Sequence, residues 1–173
     1  LKFNLEMKDL IFLFSLVLLF SCGNNNDGFY STLNDSKSSA IKIQLENYLS
    51  KNYEPMSVFY HDSLMLFASG SNDTLHYSDV FEGIELHHAL FSNIDIPMKN
   101  GDLHVETSNY GGEVWSKAYF TWNAKGRFSK QNVSNTVHIA YRWAGDRVIE
   151  VHHYSDRTAF ENEISLYSEI NNK

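Results

Sequence analysis

Residues 140–156 read AYRWAGDRVIEVHHYSD, and this stretch is the part of the sequence that decides the fold. It holds two runs of β-forming residues on either side of Gly145-Asp146, a dipeptide that is typical of tight turns. The stretch therefore predicts a β-hairpin, with one strand at residues 132–144 and the last strand at residues 147–155.

The segments upstream of this hairpin change from a helical to an extended pattern. Apolar residues first recur at a spacing near 3.6 and then alternate with a period of two. The predicted helices lie at residues 39–49, 55–61 and 80–91, and further predicted strands lie at residues 64–67, 74–77, 103–110 and 113–124. A final helix is expected after Asp156, whose side chain suits an N-cap. Helices followed by an antiparallel meander indicate an α+β fold.

The amino-terminal segment has the features of an export signal. Residues 10–20, LIFLFSLVLLF, match the apolar region of a secretory signal peptide in length and composition. The segment ends in Leu19-Phe20-Ser21-Cys22, which resembles a bacterial lipobox. The resemblance implies cleavage after residues 1–21 and a lipid anchor on Cys22, the only cysteine. Because Gly23 follows, it also implies a bacterial cell-envelope location at the outer membrane.

Residues 22–39 are rich in Asn, Ser, Asp and Gly, a composition that predicts a flexible tether. We expect one globular domain at residues 40–173 of this 173-residue chain. With 14 Lys and Arg against 21 Asp and Glu, the net charge of −7 argues against a nucleic-acid partner. A single cysteine excludes a disulfide within the chain.

Three stretches together resemble the nuclear transport factor 2-like superfamily, and within it the SnoaL-like and ketosteroid isomerase-like branches. They are residues 58–64 (VFYHDSL), residues 81–85 (FEGIE) and the hairpin at residues 140–156. The resemblance implies a cone in which a curved antiparallel sheet wraps against about three amino-terminal helices plus a carboxy-terminal helix. It further implies an apolar cavity for a small molecule and a homodimer formed through the outer face of the sheet.

The resemblance also identifies positions where a catalytic residue would lie. The aspartate base of the isomerase branch falls near Ala68 and its buried acid near Ile139, and neither side chain can transfer a proton. Tyr48 could stand in for the tyrosine of that branch. The acidic residue of the SnoaL-like branch matches His153, and histidine can act as an acid or base near neutral pH. A buried histidine satisfied by a neighbouring group is the alternative interpretation of His153.

A cavity in such a cone would be lined by aromatic and apolar side chains from the sheet and the first helix. The alternative role for the aromatic residues of the sheet is core packing or a dimer interface. The candidate cavity residues are Tyr48, Phe59, His88, Trp115, Tyr119, Ile139, Tyr141, Trp143 and Val151.

No cofactor or metal is expected from the motifs. Glu85-x-x-His88 has the spacing of one half of a di-iron site, but such a site needs two such pairs. A metal site assembled from distant histidines among the eight in the chain is the remaining alternative.

The sequence leaves three functions open. The first is binding of a small, largely apolar molecule in the cone by an envelope-anchored domain. The second is a SnoaL-like isomerase, cyclase or hydratase that uses His153 as its acid or base. The third is a protein-interaction module that uses the outer face of the sheet. A fold alone does not decide between them.

Overall fold

A computed structural model describes residues 28–99 and 101–171 of the chain. The predicted signal peptide and the lipidation site Cys22 lie outside the described residues. The helices are α1 (Ser36–Ser50), α2 (Tyr53–Phe59), α3 (Tyr77–Leu90) and α4 (Thr158–Asn171). The strands are β1 (Tyr30–Thr32), β2 (Tyr60–Ala68), β3 (Thr74–His76), β4 (Phe91–Asp95), β5 (His104–Tyr110), β6 (Glu113–Gly126), β7 (Asn132–Ala144) and β8 (Arg147–Tyr154). Three helices thus precede the long strands and one follows, which confirms the predicted α+β class.

The strands form one curved, open sheet in the order β1-β5-β6-β7-β8-β2-β3, with β4 paired to β6. The predicted hairpin is confirmed, since β7 and β8 are antiparallel on either side of the turn. The expectation of a purely antiparallel sheet is wrong, because β2 runs parallel to β8. This pairing places Ala68 of β2 directly beside His153 of β8.

Alternation along β6 divides its side chains between the two faces of the sheet. Ser116, Ala118 and Phe120 are buried on the inner face, as the period of two predicts. The main core lies between this face and helices α1 and α3. Ile41 of α1 and Leu64 of β2 are fully buried in it.

The folded part begins earlier than residue 40. Asp35 is the N-cap of α1: its Oδ1 accepts a hydrogen bond of 2.7 Å from the backbone of Ser38, whose hydroxyl reciprocates by accepting from the Asp35 N–H at 3.0 Å. Upstream of the cap, β1 pairs with β5. Residues 30–39, which the composition assigned to a tether, therefore contain a strand and the first turn of a helix.

Two other local expectations differ from the structure. Helix α3 begins at Tyr77 rather than at residue 80, with His76 as its N-cap and Asp79 at the third helical position. Strand β4 lies in residues for which no strand was predicted, and backbone pairing with β6 keeps them extended. Among the described residues no helix combines the length and the hydropathy needed to cross a membrane.

Candidate functional site

A cavity of about 300 Å³ lies between the inner face of the sheet and the helices. Because side chains alternate along β7, its odd-numbered residues face this cavity. Helices α1 and α3 each line the cavity with one apolar face. Most of the wall is apolar. Its apolar residues include Leu45, Val80, Ile84, Phe120, Val137 and Phe160.

His153 lies in this wall, where the sequence expected it. Its strand neighbours are Ala68 on one side and Ile139 on the other, and of these three side chains only the imidazole is able to take up or release a proton. Burial, with a smaller contribution from the charge of Arg157, lowers the pKa of His153 to about 4. Its ring makes no hydrogen bond within residues 28–99 and 101–171. The imidazole is therefore neutral at physiological pH and free to bond a ligand.

A second histidine, His87 of α3, lies in the same wall. Its Nδ1 is 3.2 Å from the hydroxyl oxygen of Tyr48, which also accepts a hydrogen bond of 2.9 Å from Nε1 of Trp122. The indole can only donate, so the Tyr48 oxygen accepts from Trp122, and which group donates between Tyr48 and His87 depends on the imidazole tautomer. Burial, followed by the charges of His153 and His88, lowers the pKa of His87 to about 4. We call His87 and His153 the histidine pair.

A separate polar group consists of Gln44 on α1, Tyr60 on β2 and Tyr141 on β7, which we call the tyrosine–glutamine cluster. All three side chains line the cavity, with exposed fractions of only 4%, 6% and 3% respectively. Burial raises the pKa of Tyr60 to about 12, an effect that the neighbouring Gln44 side chain reduces. Burial also raises the pKa of Tyr141, with Tyr60 adding to the shift.

Five of the predicted site residues line the cavity, and five do not. Those in the wall are Tyr48, Ile139, Tyr141, Val151 and His153. Phe59 and Trp143 do not line it: their rings pack against each other at 5.5 Å between centroids, and Nε1 of Trp143 donates to the hydroxyl of Ser116. Both rings pack in the hydrophobic core instead.

The other three predictions fail for reasons of orientation. Trp115 and Tyr119 belong to the outer face of β6, where Tyr119 stacks on His138 with ring centroids 4.2 Å apart. His88 faces away from the cavity, and its Nε2 lies 2.9 Å from the backbone oxygen of Tyr48. These three residues are thus not cavity residues.

Sequence reasoning missed His87, Gln44 and Tyr60 as site residues. A signal existed for two of them. His87 continues the stripe of Val80 and Ile84, and Gln44 is a polar residue on the apolar face of α1. Nothing local marked Tyr60, because its place in the cavity depends on the pairing of β2 with β8.

Possible metal-ligating side chains are not clustered in the described part of the chain. Within residues 28–99 and 101–171, no three His, Cys, Asp or Glu side chains are grouped so that they could hold a metal ion.

Comparison with solved structures defines the fold. A protein assigned as a SnoaL-like polyketide cyclase from Shewanella putrefaciens CN-32 is 14% identical with a TM-score of 0.55, covering 76% of this chain and 98% of its own. An NTF2-like protein from Burkholderia xenovorans LB400 is 9% identical with a TM-score of 0.57, over 76% of this chain and 98% of its own.

A protein from Catenulispora acidiphila DSM 44928 with a ketosteroid isomerase-like fold, solved with trimethylamine, is 8% identical with a TM-score of 0.54, over 73% of this chain and 92% of its own. No protein-family model matches the sequence, and no curated protein matches it significantly. The chain therefore has the nuclear transport factor 2-like fold, as its motifs predicted, and its chemistry has to be argued from the cavity.

Proposed function

We propose that this protein binds a small, uncharged and largely apolar molecule in the cavity. The observation that carries the proposal is an apolar cavity of about 300 Å³ whose histidine pair is held neutral by burial. That volume lies at the lower end of known ligand pockets. A neutral, apolar wall favours an uncharged ligand, because a charge transferred into it would lose its hydration without gaining a counter-charge.

The charged side chains at the cavity have partners elsewhere. Asp79 accepts from the backbone N–H of His76, Asp156 accepts from that of Thr158, and Arg157 lies 3.6 Å from Glu161. Because these charged side chains already have partners, we expect mainly uncharged groups to form hydrogen bonds with the ligand.

Acid/base catalysis by His153 is the second candidate function, and the position of His153 in the cavity favours it. Its low pKa counts against it, because a general base with a pKa of about 4 takes up a proton weakly at pH 7. Binding is therefore the primary proposal. Turnover that disappears in His153→Phe, with ligand affinity retained, would reverse this order.

Gly83 on α3 offers a direct test of cavity binding. It lines the cavity, and a Cβ at this position would meet no atom within 4 Å. Gly83→Phe should therefore place a ring in the cavity without displacing the backbone, whereas Gly83→Ala leaves most of the space open. The probe is N-phenyl-1-naphthylamine, a neutral dye that fluoresces in apolar sites.

The native protein and Gly83→Ala should bind the dye, and Gly83→Phe should bind it at least about tenfold more weakly. Equal affinity in all three proteins would place the dye elsewhere and contradict the proposal. Native mass spectrometry of the same proteins would then show whether a ligand from the cell is retained by Gly83→Ala and lost from Gly83→Phe.

We also propose that a lipid on Cys22 anchors the domain in the bacterial envelope. The support is the lipobox-like segment Leu19-Phe20-Ser21-Cys22 in the sequence. Incorporation of labelled palmitate that is lost in Cys22→Ser would support the anchor.

A homodimer through the outer face of the sheet is a further proposal, supported by the half-exposed rings of Tyr119 and Tyr154 on that face.

A further inference from the structure

The tyrosine–glutamine cluster contains more hydrogen-bond donors than the protein itself satisfies. Nε2 of Gln44 is buried and has no acceptor at hydrogen-bonding geometry among the described residues, although the Gln44 side chain is close enough to Tyr60 to lower the pKa of that phenol. The hydroxyl of Tyr141 makes no hydrogen bond in the described part of the chain either. Buried polar groups are nearly always paired in native proteins, so unpaired ones that line a cavity indicate where a ligand atom is expected.

The three side chains come from different elements that the fold brings together. Gln44 lies on α1 between Ile41 and Leu45, both buried in the core. Tyr60 begins β2, and Tyr141 pairs with Val151 across β7 and β8. Each side chain is therefore held by a packed element, which keeps the donors in place before a ligand arrives.

We propose that Gln44, Tyr60 and Tyr141 together bind the carbonyl oxygen of a neutral, otherwise apolar ligand. The inference rests on the proposed function and specifies the class of ligand. An amide N–H and a phenolic hydroxyl are both donors, and a carbonyl oxygen accepts from such donors at its two lone pairs without requiring a proton of its own.

The surroundings of the cluster favour a carbonyl over a carboxylate. No lysine or arginine contributes to the pKa of Tyr60 or Tyr141, and burial raises both. A site that disfavours a phenolate also disfavours a bound carboxylate, since both carry an uncompensated negative charge. A neutral carbonyl obtains the hydrogen bonds without that cost.

Two probes of the same shape separate the carbonyl from the apolar body. In 2-acetylnaphthalene the substituent carries C=O, and in 2-isopropenylnaphthalene a C=CH₂ group replaces it. The alkene retains the shape and apolar area but accepts no hydrogen bond. The comparison is made by titration calorimetry with the full protein as purified and freed of any bound ligand.

The variants are Gln44→Leu, Tyr60→Phe and Tyr141→Phe, each of which removes the hydrogen-bonding group and retains most of the volume. Tyr119→Phe is the matched control, because Tyr119 lies on the outer face of the sheet and is 40% exposed. Thermal unfolding of each variant checks that it is folded before binding is measured.

The native protein and Tyr119→Phe should prefer the ketone to the alkene by roughly tenfold. Each cluster variant should reduce that preference while its affinity for the alkene stays within about twofold of native. The carbonyl stretching band of bound, carbon-13-labelled ketone should lie at lower frequency in the native protein than in Tyr141→Phe.

The possible outcomes distinguish the two proposals. If the native protein binds both probes equally, or if the cluster variants keep the preference, the cavity binds ligands but the carbonyl inference is overturned. If neither probe binds and Gly83→Phe behaves as the native protein does, both the inference and the proposed function fail.

Discussion

His87 and His153 both lie in the apolar wall of the cavity, where burial removes their side chains from water. Both have a pKa of about 4, against 6.5 for an ordinary histidine. The unfolded chain therefore binds more protons than the folded one between these two values, and acid favours unfolding there. We predict that the free energy of unfolding falls as the pH is lowered from 6.5 to 4, by up to about 3 kcal/mol for each histidine.

Urea unfolding at a series of pH values measures this dependence. His153→Leu should remove the contribution of one histidine and flatten the curve over the same range. Because like charges on His87 and His153 repel, His87 should titrate more easily in that variant. An unchanged slope in His153→Leu would contradict the assignment of a buried, neutral histidine.

Glu163 of α4 fixes the loop between β6 and β7. The residue is 1% exposed, and its carboxylate accepts backbone hydrogen bonds of 2.9 Å from both Phe128 and Ser129. Glu163→Gln should lower the free energy of unfolding by about 1–3 kcal/mol, because the new amide can accept only one of the two bonds.

Chemical denaturation of this variant should be compared with that of Glu161→Gln. Glu161 is an exposed member of the same helix, where it lies 3.6 Å from Arg157, and an exposed ion pair of this kind contributes little. Equal effects of the two substitutions would show that the buried carboxylate is not an anchor.

At the scale of elements, Asp35 joins α1 to the sheet. Besides capping the helix, its Oδ1 accepts a hydrogen bond of 3.0 Å from the hydroxyl of Thr107 on β5. Asp35→Ala should reduce the free energy of unfolding by about 1–2 kcal/mol, since both the cap and the link to β5 are lost. Thermal unfolding with Asn34→Ala as the neighbouring control measures the difference, and a similar melting temperature for both variants would contradict this role.

The elements that the sequence could not predict are those defined by distant partners. The long strands β6, β7 and β8 carry a clear period of two, so their positions were predicted to within two residues or so. Strand β4 and the parallel pairing of β2 depend on neighbours far along the chain. A local pattern contains no information about such neighbours.

At the scale of the whole molecule, we expect residues 28–39 to contribute to the stability of the folded domain. A chain that begins at Gly28 retains β1 and the Asp35 cap, whereas one that begins at Ala40 lacks both. We predict that the shorter chain has a clearly lower melting temperature in differential scanning calorimetry. Identical melting temperatures would show that residues 28–39 add nothing to stability.

The cavity was predictable only in part. The resemblance and the strand period together located His153, Ile139 and Val151. It was harder to predict which helix residues line the cavity, because a small rotation of α3 decides whether His87 or His88 faces it. Apolar patterning also cannot distinguish a ring that lines a cavity from one that fills the core, as Phe59 shows.

The parallel pairing of β2 with β8 has a consequence for synthesis on the ribosome. Strand β2 (Tyr60–Ala68) emerges well before its partner β8 (Arg147–Tyr154), because the long strands β5, β6 and β7 are made between them. Until then, apolar residues such as Leu64 and Leu66 lack the neighbours that cover them in the finished sheet. Such high contact order slows folding, so the nascent chain should remain a substrate for chaperones until its final strand is complete.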